Sequence, residues 1–179
     1  MKVVETKLEG VLIIEPKVFG DHRGFFKETF SAARYESLIG TELSFVQDNH
    51  SRSQKNVLRG LHFQKNKPQG KLVSVVRGKV FDVAADINPK SKTYGQYVGI
   101  ELSEDNHRQL WIPPGYAHGF CVLTDQADFV YKCTDYYDPL DEGGVAWNCS
   151  TLSINWPVDK VLLSDKDSAY PTLKQLNDK

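Results

Sequence analysis

Along most of the chain, apolar residues either alternate with polar ones or cluster for a few positions before a turn residue interrupts them. Strand-like runs cover Gly10–Glu15, Phe25–Phe30, Phe45–His50, Val57–Gln64, Lys71–Arg77, Lys79–Ile87, Tyr97–Leu102, Gln109–Ile112, Gly119–Leu123 and Phe129–Thr134. Punctuation falls at Gly20, Pro68, Gly70, Gly78, Pro89, Gly95, Pro113–Gly115 and Pro139. Short strands at regular spacing predict a sandwich or barrel. One early helix is expected at about Ser31–Ile39, with Ser31 as N-cap and Gly40 as its stop. A second short helix fits the stretch from Ser164.

The run Lys79–Ile87 has a period of two. Phe81, Val83, Ala85 and Ile87 share one face; Val80, Asp82, Ala84 and Asp86 share the other. Two carboxylates on one strand face predict a wet surface or a polar cavity. Phe45, Gln47 and Asn49 point one way in their run. Lys71–Arg77 is mostly apolar on both faces and is expected to be a central strand with Lys71 at its mouth. Polar residues facing inward from several strands predict a barrel that holds a ligand.

Composition narrows the class. The 179 residues suit one domain, and about 70% of the chain's surface can be buried, so the core needs no staples. Hydrophobic residues are 40% and charged residues 25%, which excludes a disordered chain. With 22 basic and 23 acidic residues the net charge is −1, so there is no basic footprint for nucleic acid. No run approaches the roughly 20 apolar residues of a membrane span. Cys121, Cys133 and Cys149 are odd in number without CxxC spacing, and are expected to be reduced thiols in a cytoplasmic protein.

The segment Arg59-Gly60-Leu61-His62-Phe63-Gln64 places a His in an apolar strand. In a regular strand Arg59 and His62 face opposite sides. Both reach one ligand only if Gly60 bends or bulges the strand. A metal site of the kind cupin barrels use needs an HxH pair, a following Glu and a later PxG-x-x-H. The last part is present as Pro113-Pro114-Gly115-Tyr116-Ala117-His118, but Gln64 stands where the second His belongs and no Glu follows. A cupin-like barrel without metal is therefore expected, with His118 buttressing a turn or touching ligand. No flavin motif, phosphate loop or nucleophile elbow is present. His62, Lys71, Tyr131, Tyr137, Asp82 and Asp167, with Arg23 and Arg59, form a proton-transfer kit with anion clamps. Such a kit suits abstraction of a proton α to a ketone.

The residues 14–26 (Ile14-Glu15-Pro16-Lys17-Val18-Phe19-Gly20-Asp21-His22-Arg23-Gly24-Phe25-Phe26) resemble the opening of the dTDP-4-dehydrorhamnose 3,5-epimerase family. So do FVQDNHS at 45–51, NVLRGLHFQ at 56–64, QGKLV at 69–73, RQLWIPPGYAHGF at 108–120, VYKCTDYY at 130–137, EGGVAWN at 142–148 and SDKDSAYP at 164–171. The resemblance runs from about residue 10 to 172, in order. It implies a mostly-β double-stranded β-helix (a jelly-roll, cupin-like barrel) with a few short helices, a homodimer, and an epimerase that uses no cofactor. The implied reaction inverts C3 and C5 of a dTDP-linked 4-keto-6-deoxy hexose.

Carried over by motif position, His62 resembles the general base, Asp167 its orienting partner, Lys71 the cation beside the enolate, and Tyr131 the acid on the other face. Tyr137 resembles the residue that stacks on thymine. Arg23, Glu28, Gln47, Asn49, Arg59, His118, Glu142 and Lys166 match nucleotide- and sugar-contacting positions. Asp82 is held only as a partner for Lys71. The resemblance further implies that the N-terminal strand crosses to the other subunit, so that Arg23 and Glu28 complete the neighbour's site. The chain is expected to be one domain: an arm at 1–44, a barrel at about 45–150, and a segment at 151–179 that contributes to the site. Alternatives are a single-centre epimerase or 3,4-ketoisomerase on the same substrate class, and a non-catalytic sugar-nucleotide-binding cupin. No membrane or nucleic-acid partner is expected.

Overall fold

The alternation in Lys79–Ile87 becomes the partition of the molecule. Val80 and Ala84 join an interior core, whereas Phe81, Val83 and Ala85 join a second core on the opposite side of the same strand. The computed structural model describes residues 1–40 and 44–178. It contains strands β1 (Lys2–Glu5), β2 (Leu12–Glu15), β3 (Val18–Asp21), β4 (Gly24–Lys27), β5 (Gln47–Gln54), β6 (Leu58–Gln64), β7 (Lys71–Arg77), β8 (Lys79–Asp86), β9 (Tyr97–Ser103), β10 (Gln109–Ile112), β11 (Tyr116–Val122), β12 (Gln126–Cys133) and β13 (Glu142–Gly144). The helices are α1 (Ala32–Ile39), α2 (Asp165–Ser168) and α3 (Leu173–Asn177).

A six-stranded sheet in the order β1-β2-β10-β7-β12-β5 faces a five-stranded sheet in the order β13-β6-β11-β8-β9. All the ladders pair antiparallel, which gives the mostly-β, cupin-like barrel that was expected. β7 is central in its sheet, as its two apolar faces predict. In the stretch expected as an arm, β1 and β2 extend the six-stranded sheet beyond β10.

Three layers of apolar packing hold this together. Between the sheets, Val73, Val75, Leu110, Ile112 and Phe129 meet Val80, Ala84, Leu102, Phe120 and Val122. Burying a side chain of this size is worth about 1.5–3 kcal/mol each. Outside the six-stranded sheet, Ile14, Leu72 and Trp111 pack on Tyr35 of α1, with Phe30 and Phe45 beside them. Phe45 thus precedes β5 and joins this outer aromatic cluster, apart from Gln47 and Asn49. Outside the five-stranded sheet, Leu58, Leu61, Val83 and Ala117 are covered by Val145 and Cys149 and, from the C-terminal segment, by Leu152, Trp156 and Leu173.

Helix boundaries follow local chemistry. Ser31 sits at the α1 N-cap in extended conformation but makes no side-chain cap bond, and Gly40 closes the helix in the left-handed region. The C-terminal stretch holds two short helices rather than one. Ser164 caps α2 by accepting from Asp167 N, and Thr172 with Gln175 forms a capping box on α3.

Gly60 resolves the parity problem in β6. His118 and Phe120 of β11 lie two residues apart, so they share a face. Their partners are His62 and Arg59, three residues apart, so the register shifts by one residue there. This bulge puts Arg59 and His62 on the same inward face. Gly60 has φ +123°, and a Cβ on it would lie 2.6 Å from Gly119 Cα and 2.7 Å from His118 O. We expect Gly60→Ala to cost about 4 kcal/mol or more, roughly 10 °C in melting temperature. Gly24→Ala, also at positive φ but with open space around it, should cost clearly less. Equal losses in thermal melts of the two variants would overturn the close-approach account.

Candidate active site

Side chains that share a strand face converge between the sheets. Lys71 pairs with Cys133 and Ile112, and Ile112 belongs to the interior core, so Lys71 faces inward. Tyr131 pairs with Val73 and Asn49, and Gln47 pairs with Cys133, which puts all of them on that inner face. From the opposite sheet, Asp82 pairs with Phe120 and His118 with His62. Gly144 pairs with His62 and Glu142 with Gln64, so Glu142 shares His62's face.

His62 Nε2 lies 2.5 Å from Asp167 Oδ1. The imidazole remains 29% exposed and the carboxylate only 5%. The acceptor on Nε2 fixes the proton there and leaves the ring's lone pair on Nδ1. Burial raises the Asp167 carboxyl, but the hydrogen bond and charge of His62 outweigh it, and the group ends below its usual range. Asp167 itself is held by the tail. Leu58 N donates to Leu162 O, Leu162 N to Asn56 O, and Ala146 N to Pro171 O.

A second imidazole–carboxylate pair lies deeper. His118 Nε2 is 3.0 Å from the fully buried Asp82 Oδ2. Burial pushes the His118 pKa down against the upward pull of Asp82. The expectation that Asp82 partners Lys71 is thereby corrected: its hydrogen bond goes to His118, and Lys71 feels its charge only through space. The strand register is the reason, since β11 lies beside β8 whereas β7 belongs to the facing sheet. Burial lowers the Lys71 pKa, with Cys133, Asp82 and Glu142 opposing. Burial raises the Tyr131 phenol, and Cys133 and Glu142 add to it.

Glu142 organises the outer part. Its Oε2 accepts from Lys166 Nζ at 2.7 Å and from Tyr137 OH at 2.5 Å. Its Oε1 lies 4.0 Å from His62 Nε2. Burial raises its carboxyl, but Lys166 and Tyr137 hold it below the usual range. The Tyr137 phenol is pushed up to about 12, chiefly by Glu142. Its ring is half exposed, and its backbone N–H donates to Gln47 Oε1. Gln47 in turn donates to Asn49, and Arg59 donates to Ser53 Oγ at 3.0 Å.

The structure thus brings His62, Asp167, Lys71, Tyr131, His118, Asp82, Tyr137, Glu142, Lys166, Gln47, Asn49 and Arg59 to one inner face and its rim. Arg23 and Glu28 stand elsewhere. Arg23 is ion-paired with Asp21 inside the β3–β4 hairpin, and Glu28 with Arg34. Neither forms, among the described residues, a hydrogen bond or ion pair with His62, Lys71, Tyr131 or Glu142. The hairpin makes its own two-stranded sheet and leaves Phe19, Phe25 and Phe26 exposed. Gln64 is a loop staple: it donates to Lys67 O and Tyr136 O and accepts from Asp138 N. Two neighbours were not singled out from sequence. Cys133 adjoins Lys71, and Tyr170 stands edge-on to His62. The one sequence pointer to Tyr170 is its place three residues after Asp167 within SDKDSAYP.

Residues 5–175 match the family model described as dTDP-4-dehydrorhamnose 3,5-epimerase. A dTDP-4-dehydrorhamnose 3,5-epimerase of Salmonella typhimurium is 55% identical over 177 residues, covering 98% of this chain and 97% of that protein. A crystal structure of dTDP-6-deoxy-D-glucose-3,5-epimerase from Legionella pneumophila, in complex with dTDP-4-keto-L-rhamnose, superposes with a TM-score of 0.94. It is 55% identical and covers 97% of this chain and 93% of its own. A 3'-monoepimerase from Streptomyces bikiniensis in complex with dTDP-quinovose has a TM-score of 0.92 at 31% identity, covering 97% and 88%.

The depressed Asp167 carboxyl sets an acid dependence of stability. Its folded pKa lies below the unfolded value of about 3.9, so its contribution is present above that value and is lost as pH falls through the folded one. We expect the melting-temperature gap between wild type and Asp167→Asn to be full above about pH 5 and to narrow as pH falls below about 4. A gap that is constant over that range would contradict the pairing.

Proposed function

The chain belongs to the dTDP-4-dehydrorhamnose 3,5-epimerase family, and from that premise we propose how its own residues carry out the reaction. The protein is an isomerase of dTDP-L-rhamnose biosynthesis. It epimerises dTDP-4-dehydro-6-deoxy-D-glucose at C3 and C5 to dTDP-4-dehydro-L-rhamnose. The observation that carries the mechanism is the His62–Asp167 contact at the edge of an inward-facing polar cluster.

The 4-keto group acidifies the protons on C3 and C5, because the electron pair left behind spreads onto O4. His62 Nδ1 takes the proton, while Asp167 keeps the other nitrogen protonated and stabilises the imidazolium that forms. The Lys71 ammonium, poorly solvated where it stands, gains a negative partner as O4 becomes an enolate oxygen. Tyr131, kept as a phenol by burial, returns a proton to the opposite face of the carbon. Each inversion moves one proton from substrate to His62 and one from Tyr131 to substrate. Exchange with water resets both groups before the second carbon is presented.

The remaining residues bind. Tyr137 offers its exposed ring to thymine, a platform worth roughly 1–3 kcal/mol. Arg59 and Lys166 supply cations for the diphosphate. Gln47, Asn49, Glu142 and His118 set the orientation of nucleotide and sugar. Arg23 and Glu28 belong to the partner subunit's site in a homodimer with exchanged N-terminal strands. The exposed Phe19, Phe25 and Phe26 on a hairpin outside both large sheets support that assignment. We read the chain as one epimerase domain with its C-terminal segment completing the site. Its three buried thiols suit the cytoplasm. No helix among the described residues is long and apolar enough to cross a membrane.

In D₂O, NMR of the product should show deuterium at both C3 and C5, and His62→Ala should lose about 10²–10⁴-fold in kcat. Label at one carbon alone would make the protein a single-centre epimerase. Exchange of the N-terminal strands is tested by co-purified heterodimers of His62→Ala with Arg23→Ala. Sites completed in trans leave one intact site per heterodimer and recover activity well above either homodimer. Sites completed in cis recover none.

A further inference from the structure

The imidazole of His62 is gripped by a carboxylate on one side, but a single hydrogen bond leaves the ring free to rock about that contact. The Tyr170 ring stands edge-on to it, with centroids 5.6 Å apart and planes at 69°. The phenol oxygen of Tyr170 lies 3.4 Å from Glu142 Oε1. Tyr170 follows α2, so carboxylate and ring come from one short segment, and the backbone there is pinned by Ala146 N donating to Pro171 O at 2.8 Å. Against the Tyr170 ring lies Gly144, the strand partner of His62. A Cβ at Gly144 would sit 2.5 Å from three carbons of the Tyr170 ring, so a side chain there would displace the aromatic from its place beside the imidazole.

We propose that Tyr170 is a positioning residue for the epimerisation: its ring holds the His62 imidazole with Nδ1 aimed at the sugar, and Gly144 provides the space the ring occupies. The inference rests on His62 as the base. It assigns to Tyr170 no contact with the substrate. The ring edge supplies the restraint, because an aromatic pair in this geometry is favoured by its quadrupole and by buried area. The hydroxyl is secondary, since its contact with Glu142 is long and Glu142 already accepts from Lys166 and Tyr137.

The test is steady-state kinetics on dTDP-4-dehydro-6-deoxy-D-glucose for Tyr170→Phe, Tyr170→Leu and Gly144→Ala, with His62→Ala as reference and thermal melts on each. Tyr170→Phe should keep kcat within about threefold. Tyr170→Leu and Gly144→Ala should lose about 10–100-fold in kcat with KM within about threefold, as expected when a reacting group is misplaced by a fraction of an ångström to an ångström. Long-range ¹⁵N NMR of His62 should show the Nε2-protonated tautomer in wild type, Tyr170→Phe and Tyr170→Leu alike, so that the loss in the leucine variant is one of aim; a changed tautomer in the leucine variant overturns the positioning account. If Tyr170→Leu does not fold, Tyr170→Met is read by the same criteria. Wild-type kcat in the leucine or methionine variant overturns the proposal, as does a raised KM at unchanged kcat. A phenylalanine variant as damaged as leucine moves the role to the hydroxyl and overturns it too. Full activity of His62→Ala defeats instead the assignment of the base.

Discussion

The imidazole–carboxylate bond between His62 and Asp167 joins positions 105 residues apart, and most of the architecture serves to make it. His62 comes from a central region of the five-stranded sheet. Asp167 comes from a segment that reaches it only by running over the outside of that sheet. What drives the segment there is the burial of Trp156, Leu152, Cys149 and Leu173 against Leu58, Leu61, Val83 and Ala117. The same strands therefore do two jobs. Their inward faces carry polar chemistry, and their outward faces supply the apolar surface that fixes the chemistry's last component.

Concentrating ionisable groups between two sheets is costly unless each has a partner. The site meets this with graded pairing. Asp82 and His118 hydrogen-bond to one another where burial is deepest. Asp167 and His62 pair where the ring still meets solvent. At the rim, Glu142 gathers a lysine and a tyrosine. Lys71 is the exception: among the described residues its ammonium hydrogen-bonds to no carboxylate, while three groups act on it through space. In the mechanism we propose, an amine so placed is stabilised most by the negative charge that arises during the reaction.

Strands with a clear period or unbroken apolar character were legible. β7 and β10 fall at the expected residues, and β8 ends one residue early. The same alternation put Asp82 on a face that reads as a wet surface or a polar cavity, and its complete burial decides for the cavity. The bulge at Gly60 could be posed as a question from residue spacing, because Arg59 and His62 had the wrong parity, but only the register of β11 answers it. β1, β3 and β13 were not anticipated. They are three or four residues long, and pairing with a neighbour, rather than any local pattern, defines them. The role of Tyr170 was hidden for a similar reason. Its sequence neighbourhood reads as a polar turn, and its partner ring lies on a strand more than a hundred residues earlier. His118 finding Asp82 depended on strand adjacency, which no single run of sequence encodes.

The β3–β4 hairpin turns three phenylalanine rings toward water in the single chain. Each Å² of that surface costs about 25 cal/mol to hydrate, so a lone chain is both less soluble and more adhesive than its near-neutral charge alone would make it. In the homodimer we propose, covering that surface would make extreme dilution a route to inactivation distinct from heating. Fusion tags or immobilisation linkers placed at the amino terminus would crowd this adhesive ribbon, whereas the opposite end of the chain offers an attachment point remote from it in sequence.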